Sequence, residues 1–148
     1  MKILDIRALR GPNYWSNWRH YLIVMRIDLE EMEESPSNMI QGFPKRLQKL
    51  IPSLVEHRCS RGYVGGFLER LQEGTWMGHV MEHVALELQI LAGMQCGFGR
   101  CESAGAPGVY NVVFAYEQER AGFYAANAAY AVVEDMIAGR EHDLEQDI

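Results

Sequence analysis

The sequence predicts an α+β domain, a small, largely antiparallel sheet packed with several helices, one of which is long and buried. Three observations carry this. Short runs rich in β-branched and aliphatic residues lie toward both ends of the chain, helical patterns fill the middle, and the run from Trp76 to Leu91 is apolar around most of its circumference. Lys2 to Arg10 and Arg19 to Leu29 read as two strands joined by the turn-forming GPNYWSN, with Tyr14, Trp15 and Trp18 clustered there as core or core rim. In EEMEESPSN, Ser35 offers an N-cap and Pro36 a first-turn proline for a helix running toward Ile51, which Pro44 and Pro52 are expected to break. A short helix is expected from Gly66 to Gln72. Thr75 is the expected N-cap of the long helix that follows. Gly93 to Gly108 reads as a glycine-punctuated loop, GVYNVVFAYE as a third strand, and the alanine-rich Glu119 to Ala138 as a closing helix. Residues 1–138 therefore form one domain, and 139–148 a charged tail or linker.

Composition narrows the function classes. The chain has 148 residues, 14 Lys and Arg against 20 Asp and Glu, and a formal charge of −6. No basic excess exists to neutralise phosphates, so nucleic acid and anionic membranes are poor partners and a cationic ligand suits the balance better. The Leu22 to Met25 apolar run is far shorter than the roughly 20 residues that span a bilayer. Asp5 and Arg7 interrupt the amino terminus before a signal-peptide core could form, which makes a cytoplasmic location the default. Cys59, Cys96 and Cys101 are irregularly spaced, which fits neither a disulfide framework nor paired zinc knuckles. GMQCGFGR lacks the lysine and serine of a phosphate-binding loop.

The polar residues of the long helix are informative because so little of it is polar. At about 100° per residue, His79, Glu82, His83 and Glu87 share an arc of roughly 140°. His79 and His83, one turn apart, have the spacing that lets two imidazoles reach one metal ion. Glu82 lies beside that point, where a carboxylate can take a proton from water. The pattern is HxxEH, the inverted zinc-peptidase arrangement. Zn²⁺ held by the two histidines and a third ligand would then support hydrolysis of an amide. Glu87 lies about 12 Å beyond His79 along the helix axis, so it is expected to orient an imidazole instead. Cys59 in EHRCSRG is the preferred third ligand, with Glu56 or His57 as substitutes. The competing reading is an amphipathic helix whose His and Glu stripe faces water. Cys96 and Cys101 are assigned to packing, and Glu30 to Glu34 to a solvated face able to attract guanidinium groups.

The stretches LRGPNYW, PSLVEHRCS, GGFLERLQEGTWMGHVMEHVALELQILAGM, GFGR and GVYNVVF closely resemble the amino-terminal domain of the cyanophycin synthetase family, from about Leu9 to Glu117. Members of that family carry ATP-grasp and Mur-ligase-like domains after this one, and the chain looks like the first domain alone. The resemblance implies binding of cyanophycin, an arginine-bearing polyaspartate, and its internal cleavage by a zinc-dependent metallopeptidase that generates primers for elongation. On that basis Glu82 is the catalytic base, His79, His83 and Cys59 hold the metal, and Ser60 and Arg100 contact substrate. The segment CESAGAP departs from the threonine-containing family version, which weakens any substrate contact expected from that loop. The expected partners are the polymer and the remaining ligase domains, with a homo-oligomer left open. A polymer-binding or scaffolding module without catalysis is the alternative.

Overall fold

A computed structural model describes residues 1–16 and 21–148. Trp18 and the Arg19–His20 start of the expected second strand lie outside the described residues. Four strands, β1 (Lys2–Arg10), β2 (Tyr21–Asp28), β3 (Gly99–Ser103) and β4 (Val109–Ala115), form one sheet in the order β1-β2-β4-β3, with every neighbouring pair antiparallel. The described α-helices are α1 (Phe43–Leu50), α2 (Gly66–Glu73), α3 (Met77–Leu91) and α4 (Glu119–Ala138).

Alternation along β2 sorts its side chains onto two faces. Ile23, Met25 and Ile27 turn inward with Val112 and Phe114 of β4, and α3 and α4 bury them. Leu22 and Val24 turn the other way with Val113, where Leu9, Trp15 and Phe98 partly cover them. Trp15 Nε1 donates to Glu102 Oε1 at 2.8 Å, so the turn after β1 is tied across this outer face to β3.

Three expectations change. The supposed loop Gly93–Gly108 contains β3, whose GRCES sequence has no run of β-branched residues; pairing with β4, Arg100 opposite Val113, makes it a strand. The single helix expected from Ser35 toward Ile51 is instead a 3₁₀ turn, Ser37–Met39, followed by α1, and a further 3₁₀ turn, Glu30–Glu34, precedes Ser35. Pro44 sits in the first turn of α1, where its missing N–H costs nothing, so it starts a helix rather than breaking one. Ser35 caps nothing. Buried Ser37 donates from Oγ to the Leu71 carbonyl at 2.6 Å and accepts from the Thr75 N–H at 2.9 Å, pinning the junction of α2 and α3. Finally, Trp76 and not Thr75 occupies the N-cap position of α3, and no side chain caps that end. The Thr75 hydroxyl is engaged elsewhere.

Residues beyond Gly139 close in a 3₁₀ turn, Leu144–Asp147, against α4. Tyr124 donates from its hydroxyl to the Gln146 carbonyl at 2.9 Å, and the His142 ring bridges Asp135 and Asp147. No helix among the described residues is long and apolar enough to cross a membrane.

Candidate metal centre

Helix α3 packs against the sheet, α4 and the 3₁₀ turn Pro52–Glu56, and its polar stripe lines a cleft of about 860 Å³. Glu82, His83 and Glu87 are only 6, 5 and 3% exposed, so the stripe does not face bulk water as a solvated amphipathic surface would. Phe67 of α2, buried in the core, packs against the histidine rings. Its ring stacks on His83 with centroids 4.1 Å apart and meets His79 edge-on at 5.6 Å.

The third group arrives from a turn far away in sequence. Cys59 opens the 3₁₀ turn Cys59–Arg61 with φ of 55°, a left-handed conformation that few side chains adopt. Close packing holds that turn: a Cβ on Gly66 would lie 2.2 Å from the Arg58 carbonyl oxygen, so only glycine lets α2 start this near. Cys59 Sγ is 3.2 Å from His79 Nε2, and His79 Nε2 is 3.1 Å from His83 Nε2. Ligand atoms of Cys59, His79 and His83 all fall within 4.8 Å of one another, a group that could hold a metal ion.

Burial sets the protonation of this group. His79 is pushed down to about 4 by desolvation and then by the Arg70 charge; His83 is pushed down to about 2 by desolvation and the charges of His79, His57 and Arg70. Both imidazoles are therefore neutral at neutral pH, the form that donates a lone pair to a metal. Desolvation raises the Glu82 carboxyl to about 7, with Arg70 and Arg100 pulling the other way. Glu82 Oε2 stands 3.7 Å from His83 Nε2, and Gly99 of β3 makes its space, since a Cβ there would lie 2.7 Å from Glu82 Cγ and Oε2.

The remaining sequence-derived residues divide. Ser60 lines the cleft beside Cys59, and its Oγ accepts from Arg70 Nη1 at 3.0 Å. Glu87 reaches neither His79 nor His83; its Oε1 accepts from His57 Nε2 at 2.9 Å, and His57 Nδ1 in turn lies 2.8 Å from His83 Nδ1. His57, held as a substitute ligand, thus faces the back of His83, while exposed Glu56 stays on the cleft wall. Arg100 alternates on β3 with Gly99 and Cys101, both of which face α3, and it is not among the cleft-lining residues, although its charge reaches Glu82. The Glu30–Glu34 run lies outside the cleft, with Glu30 paired to the Met1 amine at 3.1 Å. Cys96 packs in the core, and Cys101 packs toward Gly78 with its thiol pushed up to about 12, chiefly by desolvation.

Sequence reasoning missed Arg70, Thr75 and the placement of His57. Arg70 sits on α2 in contact with Cys59 and Ser60, and its only sequence signal is charge. Thr75 had a signal, four residues before His79, and its Oγ1 lies 2.8 Å from His79 Nδ1.

Residues 24–138 match the family described as cyanophycin synthase-like N-terminal domain. Proteins named cyanophycin synthetase are similar over nearly all of the chain: 56% identical over 99% of it in Geminocystis herdmanii, 55% over 97% in a Synechocystis species, and 54% over 100% in Crocosphaera subtropica. The chain spans only about a sixth of the length of these relatives, 17, 16 and 17% respectively. With a family match over most of its length and a shared sequence this extensive, the chain belongs to the cyanophycin synthase-like N-terminal domain family.

Proposed function

We propose that this domain binds cyanophycin and cleaves it internally as a Zn²⁺-dependent hydrolase, producing primers for elongation. The observation that carries the reading is the convergence of Cys59 Sγ, His79 Nε2 and His83 Nε2 beside the buried Glu82 carboxylate in one cleft. The donor chemistry fits zinc: one cysteine sulfur and two imidazoles that burial keeps neutral. Two imidazole nitrogens 3.1 Å apart are close enough to share a hydrogen, or to aim both lone pairs at one cation.

Zn²⁺ bound there would act as a Lewis acid, polarising the scissile carbonyl and lowering the pKa of water. Glu82 accepts a proton from the attacking water as its oxygen bonds to the amide carbon. The same carboxyl then returns the proton to the departing nitrogen as the C–N bond breaks. Desolvation raises the Glu82 carboxyl in the metal-free cleft, and Zn²⁺ beside it would draw it back toward the carboxylate form that takes the proton. Arg58, Arg70 and Glu56 give the cleft charges of both signs, complementary to a polymer whose side groups carry a guanidinium and a free carboxylate. Ser60 is assigned to substrate contact beside Arg70, and Arg100 to a longer-range electrostatic part.

In a full-length synthetase, the ligase domains would receive the cleaved ends. A free cysteine ligand suits a reducing compartment, which is why a cytoplasmic location is part of the proposal. The test is incubation of the purified chain with cyanophycin, with and without a chelator, followed by sizing of the products. Shorter polymer that disappears with chelation and returns on adding Zn²⁺ is expected. Uncut polymer that still binds the chain would leave only the module without catalysis.

A further inference from the structure

Glu87 and His57 form a buried pair in the cleft to which the proposed reaction gives no part. A neutral imidazole carries a single ring hydrogen, and donation to a metal through Nε2 requires that hydrogen on Nδ1. We propose that Glu87 and His57 form a relay that holds His83 in its Nδ1–H tautomer, leaving the Nε2 lone pair aimed at Cys59 and His79. The use made of that lone pair rests on the metal reading above; the tautomer itself does not.

Hydrogen-bond polarity propagates along the chain of contacts in one direction. A carboxylate only accepts, so at 2.9 Å from Glu87 Oε1 the hydrogen of His57 sits on Nε2. With His57 as a neutral imidazole, its Nδ1 is then a bare acceptor. Lying 2.8 Å from it, His83 Nδ1 must donate, because two unprotonated ring nitrogens at that distance would repel. The reverse assignment fails at the other end, where the lone pair of His57 Nε2 would confront the carboxylate. His83 Nε2 is left bare and 3.1 Å from His79 Nε2.

The two histidines are held by unequal means. His79 Nδ1 meets the Thr75 hydroxyl at 2.8 Å, and a hydroxyl can donate or accept, so that contact orients the ring without dictating its tautomer. Only the carboxylate end of the His57 relay has a single polarity. With the His57 and Glu87 side chains 10 and 4% exposed, water does not compete for these bonds. Glu87 lies one helical turn beyond His83 with its carboxylate turned to His57 Nε2, and His57 bridges to His83 Nδ1 from the loop that carries Cys59 two residues later. His57 and Glu87 are thus positioning residues, acting on the site through His83.

Ring ¹H–¹⁵N correlations of the chelator-treated 148-residue chain test the tautomer directly. Wild-type His83 should show Nδ1–H with a bare Nε2. In Glu87→Gln the amide can donate as well as accept, and His83 should become a mixture of tautomers. His57→Phe should do the same by removing the acceptor. Zinc affinity, read by competition with a chromophoric chelator, should fall about 10- to 100-fold in both variants, with ellipticity unchanged. Wild-type His83 carrying its hydrogen on Nε2 overturns the relay whether or not either variant folds. So does Glu87→Gln that keeps both the wild-type tautomer and the wild-type affinity. If wild type binds no zinc yet shows the expected tautomer and its loss in Glu87→Gln, the relay stands and the metal reading falls.

Discussion

Glu82→Gln should make the metal-free protein more stable above neutral pH while removing its hydrolytic base. Burial raises the Glu82 carboxyl from its ordinary 4.5 to about 7, so folding favours the protonated form. A folded-state pKa above the unfolded one gives stability that is fully present below 4.5 and is lost as pH rises through about 7. At about 1.4 kcal/mol per tenfold, the ionised carboxylate costs the folded state about 3 kcal/mol above that window. His79 and His83 work in the opposite sense, because their lowered pKa values remove stability as pH falls below 6.5. Comparing the variant with wild type cancels their part. Urea unfolding of chelator-treated protein at pH 5 and pH 8.5 should therefore give similar midpoints at the acid end and a higher midpoint for Glu82→Gln at the alkaline end. Added Zn²⁺ should shrink the difference, since a nearby dication favours the carboxylate. Parallel stabilities at both pH values, or a less stable variant at pH 8.5, would refute the claim that this carboxylate is held desolvated beside the cluster.

Other perturbations follow from particular contacts. Cys59→Ser replaces a thiolate by a weaker donor, so zinc measured by competition with a chelator should bind at least 10-fold more weakly while cyanophycin cleavage falls in parallel. Gly99→Ala drives a Cβ to 2.7 Å from the Glu82 carboxylate; product sizing should show reduced cleavage, and denaturant unfolding a loss of about 1–3 kcal/mol. Although burial pulls the His142 ring down, its hydrogen bonds to Asp147 and Asp135 hold it above its ordinary value. Its contribution is therefore present below pH 6.5 and lost as pH rises through the raised value, so hydrogen exchange in the 144–147 turn should accelerate with pH beyond the intrinsic rate in wild type but not in His142→Ala.

Local patterns were legible where a single segment dictates its own structure. Glu119–Ala138 reads as a helix because alanine-rich periodicity suffices, and the stripe of His79, Glu82 and His83 shares a face by helical geometry alone. What periodicity could not supply was the environment of that face. Its burial depends on α2 and the Cys59 turn, which are brought there by long-range packing at Gly66 and Phe67. β3 escaped notice for a related reason: GRCES is a strand because β4 lies beside it, and Gly99 is small because Glu82 needs the room. The partnership of Glu87 with His57 is likewise a contact across 30 positions, invisible to any local pattern, whereas the Thr75 contact with His79 lay within one helical turn.

X-ray absorption at the zinc edge of the purified chain tests the account at its centre. One zinc per chain with a single sulfur at about 2.3 Å and two imidazole nitrogens near 2.0–2.1 Å is the predicted first shell, the sulfur vanishing in Cys59→Ser. A stoichiometric zinc with no sulfur neighbour, or protein that takes up no zinc at all, would contradict it.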